Sequence, residues 1–520
     1  MPRGGTEPRQ PAARRRYVVW LCVTAGLATP LRPGLAVTLS ADFDSASLDV
    51  AASSLSGGVI NLVGRDNYNT GDWKWLYFLA SDLPTPAPTF RIDDDFAGGG
   101  SNLVGHAMAY SYDQQHWEFF DNNVRNAGAG AFTFWNDAAF TGPEVYVAYG
   151  IPYPRSRAAQ HTATVAASGW VLPTLSGGGS LAVGLSPGGV DDLGRTIAPS
   201  ELSGYRIVDP VGAASRPQVV LTSGVHANET LGNLVLEGLV DFLVGDSLQA
   251  GLLRKASDLF VYPMVNPDGR LAGYNRGTVA RPDDDPNRYW AAPGYGGIAE
   301  LQEVGAAMIS DTGGAADYLI DFHSTVDGKD GHYGFVLPAM QSDPLWQSFL
   351  AREPQVLTRN ALLVDDTTAK FGRDTLGAGF SITFETQFIA GENEDRFLAM
   401  GESWGLALAD ALLVFADLNL DGRLDGADWS RMIAGAETDL SMLPAADAYL
   451  RGDLDGDGVN SIADFGIFQH AYTATHGPAA FARLFAAVPE PSASRLAAGV
   501  LLTLCVYGAC RTPPFRGLKC

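Results

Sequence analysis

The stretch "PQVVLTSGVHANET", residues 217–230, runs an apolar strand directly into a His and a Glu three residues apart. Behind it, "TLGNLVLEGLVDFLVGD" sets Leu231, Leu234, Val235, Leu239 and Phe242 at helical spacing. Strand, polar turn and amphipathic helix in this order form the first half of a βαβ unit. Taken alone, His226 with Glu229 reads either as a polar turn or as two-thirds of a zinc site, which needs a third protein ligand.

Three more apolar runs follow: "DLFVYPMV" (258–265), "DYLIDFHS" (317–324) and "FSITFET" (380–386), with helical patterns between them. The alternation predicts an α/β domain with a mixed or mostly parallel sheet, carrying its site at the C-terminal ends of the strands. Each run delivers polar groups there. His226 and Glu229 follow the first, Asn266 to Gly269 follow the second, His323 ends the third and Glu385 ends the fourth.

His226, Glu229 and His323 have the residue types and the near-near-distant spacing of a catalytic Zn²⁺ site. Of the eight histidines, only His332 offers another ligand inside this segment, nine residues past His323. Zinc chemistry also needs a base to take a proton from water and return it. Glu385 suits that role, and it reads equally as a strand-end carboxylate.

The connecting segment "NPDGRLAGYNRGTVARPDDDPNRYW" (266–290) opens on a turn signature. It brings Arg276, Arg281 and Arg288 towards the same strand ends. Guanidinium groups there could polarise a carbonyl or grip a carboxylate in a bidentate fork.

"HANE", "NPDG", "NR", "DFHS" and "TFE", in this order, resemble the zinc metallocarboxypeptidases of carboxypeptidase A type, and within them the cytosolic carboxypeptidase branch. The resemblance covers roughly residues 40 to 415. It implies zinc on His226, Glu229 and His323, and Glu385 as general base. Arg276 would stabilise the oxyanion, with Arg281 as a rival. Asn287 and Arg288 would hold the terminal carboxylate of a peptide or protein substrate, making the enzyme an exopeptidase. Lys370, fifteen residues before Glu385, would lie at the base of the side-chain pocket and favour acidic C-termini. It reads equally as a solvated loop cation, with Arg373 as a second candidate. Two departures stand out: "DPNRYW" carries a Pro ahead of its Asn-Arg, and no Tyr lies between Gly334 and Glu385. Deacylase relatives share these motifs, so a zinc amidase acting on N-acyl amino acids or cell-wall peptides is the alternative, and a non-catalytic surface-binding protein is a third reading.

Around this domain, assigned to 161–416, lie other modules. Residues 37–160 alternate aromatic-rich runs such as "WLYFLAS", "HAMAYSYD" and "VYVAYGIPY" with turn residues, which predicts a small β-sandwich. The cytosolic branch carries such a sandwich ahead of its catalytic domain. After 416 come "DLNLDGRLDGAD" (417–428) and "DLDGDGVNSIAD" (453–464). Each sets oxygen donors at positions 1, 3, 5 and 12 around a Gly at position 6, the spacing that wraps Ca²⁺. The pair resembles a type I dockerin over 417–475, which implies a cohesin-type partner. The implied ligands are Asp417, Asn419, Asp421, Asp425 and Asp428, then Asp453, Asp455, Asp457, Ser461 and Asp464, with backbone oxygens of Arg423 and Val459.

Acidic residues outnumber basic ones, 58 to 35, which disfavours nucleic acid and anionic membrane surfaces as partners. The four cysteines, Cys22, Cys505, Cys510 and Cys520, sit at the two ends, so no disulfide framework spans the fold. Residues 1–36 read as a signal peptide, with a basic start and the apolar run "YVVWLCVTAGLA". Residues 488–520 resemble a PEP-type sorting signal, "VPEPSAS" followed by an apolar stretch of about 15 residues, short of the roughly 20 needed to span a membrane. Both ends predict a secreted or cell-surface protein.

Overall fold

The computed structural model describes residues 37–68, 75–93, 103–325, 331–361, 365–389 and 391–486. The expected signal peptide (1–36) and sorting tail (488–520) lie outside them. Among the described residues no helix is long and apolar enough to cross a membrane.

An eight-stranded mixed sheet organises the centre of the molecule. Its strand order is Val171–Pro173, Tyr205–Ile207, Asp258–Tyr262, Gln218–Ser223, Tyr318–Thr325, Phe380–Gln387, Tyr333–Val336 and Leu357–Asn360. The four strands from Asp258–Tyr262 to Phe380–Gln387 are parallel to one another. They are the four apolar runs expected from the sequence, nearly continuous in hydrophobicity because both faces of a parallel sheet are covered. From Gln218–Ser223 the chain crosses to Asp258–Tyr262 on one side and later returns to Tyr318–Thr325 on the other. That reversal is a topological switch point, where open α/β sheets leave a crevice at the strands' C-terminal ends.

Two helices cover one face at close range. Leu231–Val244 packs on Glu394–Leu412, and a methyl group on Gly238 would sit 2.1 Å from the carbonyl oxygen of Leu398. Beneath them Trp404 stacks on Phe349 with ring centroids 3.9 Å apart and meets Phe322 and Phe384 edge-on. Phe322 and Phe384 alternate with the candidate site residues His323 and Glu385 along their strands. One face of each strand therefore anchors in the core while the other carries the polar groups.

Residues 38–148 form two five-stranded sheets with buried aromatic side chains. Phe78 of one sheet approaches Phe90 of the other at 6.1 Å. At the other end of the chain, each Asp-rich loop opens a helix, Gly426–Ala434 or Ile462–His476, through a capping box made by Asp425 with Asp428 or Ser461 with Asp464. The two loops repeat one hydrogen-bond pattern. Asp417 accepts from the N–H of Gly422 as Asp453 does from Gly458, and Asp428 accepts from Leu418 and Asn419 as Asp464 does from Leu454 and Asp455. This segment packs on the helix Leu248–Ala256, where the Lys255 ammonium lies between Asp209 and Asp447.

Gly232, one residue into its helix, is where the sheet and the site meet. A Cβ there would lie 2.7 to 2.8 Å from the Phe322 carbonyl and the His323 backbone. Gly232→Val should therefore push the Glu229 loop away from the His323 strand and cost about 2 kcal/mol as an overpacked contact. Thermal unfolding would read this as a lower Tm, and an unchanged Tm would mean that the close approach is not obligatory.

Candidate functional site

His226 and Glu229 occupy the turn between the strand Gln218–Ser223 and its helix, while His323 projects from the neighbouring strand. Their donor atoms converge. Glu229 Oε1 lies 2.7 Å from His226 Nδ1, and Glu229 Oε2 lies 2.7 Å from His323 Nδ1. The two Nδ1 atoms are 3.3 Å apart, and all three residues are buried.

Behind each imidazole stands a carboxylate that no sequence motif singled out. Asp285 Oδ1 is 2.8 Å from His226 Nε2, and Asp321 Oδ2 is 2.6 Å from His323 Nε2. Each carboxylate accepts the Nε2 proton and so turns the lone pair of Nδ1 into the shared space, the arrangement that orients a metal-binding histidine. Burial works against charge on Glu229, but His226 and His323 outweigh it and hold the carboxyl well below its ordinary range. Burial likewise opposes a charged His323, yet Asp321 and Glu229 raise its pKa well above the usual value. The pocket thus draws positive charge, and two imidazole nitrogens with one carboxylate are a donor set that suits Zn²⁺. Asp321 was legible in retrospect, because strand alternation puts residues i and i+2 on one face.

His332 does not join the set. Its Nε2 meets Glu392 at 2.8 Å and its Nδ1 accepts from the Gln387 N–H at 3.0 Å, so both ring nitrogens are engaged elsewhere.

Glu385 stands beside His323 in the parallel pairing of their strands. Its side chain is half-buried, and its Oε2 is shielded from solvent with no hydrogen-bond partner. Burial, reinforced by the charge of Glu229, pushes its pKa up to about 8.

Arg276 reaches the same place. Its Nε and Nη2 donate to Asp285 Oδ2 at 3.0 and 2.8 Å, and its Nη1 is 3.5 Å from Glu229 Oε1. Arg281 instead pairs with Asp284 and donates to the Gly296 carbonyl. Asn287 is buried with its Nδ2 3.4 Å from His323 Nε2, while its Oδ1 accepts from the N–H and hydroxyl of Thr368. Arg288 is exposed, 3.7 Å from Asp285 and 3.8 Å from Asp365. Lys370 lies on the helix Thr368–Asp374 and binds Asp366 at 2.6 Å, and Arg373 binds its neighbour Asp374.

A second residue without a sequence signal fixes the ligand loop. Arg270, fully buried behind Asn266-Pro-Asp-Gly269, donates to the carbonyls of Glu229 at 2.9 Å, His226 at 3.4 Å and Tyr153 at 2.7 Å. Burial lowers its pKa to about 10, which leaves the guanidinium charged at neutral pH. Asn266 caps the short helix Pro267–Ala272 and also donates to the Gly277 carbonyl at 2.8 Å, tying the segment that carries Arg276 to the same turn.

Residues 189–297 match the zinc carboxypeptidase family (peptidase M14). Among curated proteins, mouse cytosolic carboxypeptidase 6 is 26% identical over 196 residues, 36% of this chain and 35% of that protein. Zebrafish cytosolic carboxypeptidase 2 is 27% identical over 244 residues, 43% of this chain and 32% of that protein. The chain thus spans about a third of the length of these relatives. Of solved structures, a metallo-carboxypeptidase from Burkholderia cenocepacia superposes with a TM-score of 0.59 at 21% identity, covering 72% of this chain and 98% of that one. A metallo-carboxypeptidase from Pseudomonas aeruginosa, in complex with (2-guanidinoethylmercapto)succinic acid, gives a TM-score of 0.57 at 20% identity over 72% and 98%. The fold is that of the metallocarboxypeptidases.

The raised pKa of Glu385 has a signature in stability. Its folded-state value of about 8 lies above the ordinary 4.5, so folding favours the protonated form. Metal-free wild type should lose stability as pH rises from about 4.5 to about 8, and Glu385→Gln should lack this loss. Denaturant titrations across that range would show the variant's relative stability growing with pH and then levelling, while a pH-independent difference would contradict the burial of a proton on Glu385.

Proposed function

We propose that this chain is an exported zinc-dependent carboxypeptidase that removes the C-terminal residue of peptides or proteins. The observation that carries the reading is Glu385: a half-buried carboxyl whose Oε2 is shielded and unpartnered, in register beside His323 and within the reach of Glu229's charge. Nothing in the packing of the sheet needs an unpartnered carboxyl at this position, and leaving one costs stability.

His226, Glu229 and His323 would hold the zinc, which when bound polarises a carbonyl and makes water more acidic. Glu385 would take the proton of the attacking water and deliver it to the leaving amine, a role for which a pKa near neutrality is suited. Arg276, lying against Glu229 and Asp285, would face the negative charge that develops on the scissile carbonyl oxygen. Asn287 and Arg288 would receive the terminal carboxylate, Asn287 through the amide nitrogen left by its bond to Thr368.

The remaining modules enter the same reading. The two sheets of residues 38–148 would act as a β-sandwich beside the catalytic domain. The repeated loops would each bind Ca²⁺ in a dockerin-like module, with Asp453, Asp455 and Asp457 already clustered in the second. The two terminal segments would direct export and surface sorting, and a cohesin-type partner would engage the loop module.

Peptides with free or amidated C-termini, offered to the zinc-loaded protein, test the activity. Release of the last amino acid is expected from free termini only. Glu385→Gln should lower it on the order of a hundredfold or more with zinc retained. Cleavage of N-acyl amino acids without release from any peptide would instead make the chain a deacylase.

A further inference from the structure

Arg276 stands on a stretch without helix or strand, between the helix Pro267–Ala272 and the short turn Pro286–Arg288. Such a stretch aims a guanidinium only if other parts of the chain hold its backbone. Two supports come from the ligand turn and its neighbour. The Ala227 N–H donates to the Arg276 carbonyl at 3.2 Å, and Asn266 donates to the Gly277 carbonyl at 2.8 Å. The residue before Arg276 is held from elsewhere. Asn275 is fully buried, and its N–H donates to Asn67 Oδ1 at 2.8 Å. Its Nδ2 donates to the Arg65 carbonyl at 2.7 Å, and its Oδ1 accepts from the Trp75 N–H at 3.0 Å.

Arg65, Asn67 and Trp75 belong to the connection between the strands Val59–Asn61 and Tyr77–Ser81, which lie in the two different N-terminal sheets. The approach is close at the neighbouring residues too. Arg65 Nη1 donates to the Ala272 carbonyl, and the Ser45 N–H donates to that of Leu271 at 3.1 Å. Gly273 has a φ of 69°, and a methyl group on it would lie 2.0 Å from the Ala46 carbonyl oxygen. The Trp75 indole closes the set by donating to the Ser45 carbonyl at 2.8 Å. Residues 271–275 are therefore seated in the N-terminal segment, and Arg276 is the next residue along. Removing one partner from the Asn275 amide leaves a buried polar group unpaired, at a cost of roughly 1–3 kcal/mol.

We infer that the N-terminal sheets complete the active site, with Asn67 and Asn275 as positioning residues that aim Arg276 at the developing oxyanion. The inference rests on the carboxypeptidase reading, and it gives the N-terminal segment a part in the reaction itself. Neither asparagine touches substrate. Asn67 holds the Asn275 backbone, and Asn275 sets where the next residue begins. A misplacement of about 1 Å at a group that stabilises developing charge costs up to about a hundredfold in rate.

Asn67→Ala removes the acceptor of the Asn275 N–H and leaves every residue of the candidate site in place. In the zinc-loaded full chain it is expected to lower kcat roughly tenfold or more, with KM within about twofold and zinc content unchanged. Asn67→Asp, which keeps an accepting oxygen, should recover part of the rate. In an Arg276→Ala background, Asn67→Ala should change kcat by less than about twofold, because the group it aims is gone. An equal fold loss in both backgrounds would overturn the role. Phenylglyoxal labelling of arginines, mapped by mass spectrometry, needs no turnover. Asn67→Ala should raise the labelling rate of Arg276 and leave that of the fully buried Arg270 as in wild type. That outcome, with no release from any peptide by wild type, would sink the carboxypeptidase reading and leave the clamp standing. Unchanged labelling of Arg276, or both arginines rising together, would refute the clamp itself.

Discussion

Three carboxylates, Glu229, Asp285 and Asp321, are held out of water around two imidazoles. Removing that much negative charge from solvent is expensive unless positive charge is brought to the same place. Arg276 supplies some of it from one side, and the two histidines turn their Nδ1 atoms inward. Much of the surrounding architecture serves this constraint. Arg270 pins the backbone of the ligand turn, Gly232 lets its helix approach the His323 strand, and Phe322 and Phe384 lock the two strands into the core.

Glu385 answers to the same logic with the opposite sign. Placed next to this negative set and away from water, it is most stable carrying a proton. A group that shifts between acid and base near neutrality is what proton transfer to a leaving amine needs. One pocket therefore holds two carboxylates of like chemistry in different charge states. Glu229 is kept charged by the two histidines it touches, and Glu385 is kept near neutrality by burial and by Glu229.

The parallel core was legible in the sequence because its strands are near-continuous apolar runs that each end in a polar group. His226, Glu229, His323 and Glu385 could be read from where those runs stop. Asp285, Arg270 and Tyr333 could not. Asp285 sits in a run of three aspartates, and only the fold of the loop decides which one meets His226. Arg270 looks like a surface cation until the turn buries it, and Tyr333 is set beside Glu385 by an antiparallel pairing that local pattern does not determine. The family resemblance names Lys370 as the pocket cation, and in the structure Asp366 engages it. The C-terminal loops are the reverse case: the spacing of their acidic residues repeats in sequence, and the structure repeats most of the backbone hydrogen bonds to them.

The central claim is that His226, Glu229 and His323 form a metal site independent of the base beside them. Zinc content measured by mass spectrometry on wild type, His323→Ala and Glu385→Gln tests it most directly. The account predicts one zinc per chain in wild type and in Glu385→Gln, and none in His323→Ala. Full zinc retention in His323→Ala, with the protein folded, would contradict it.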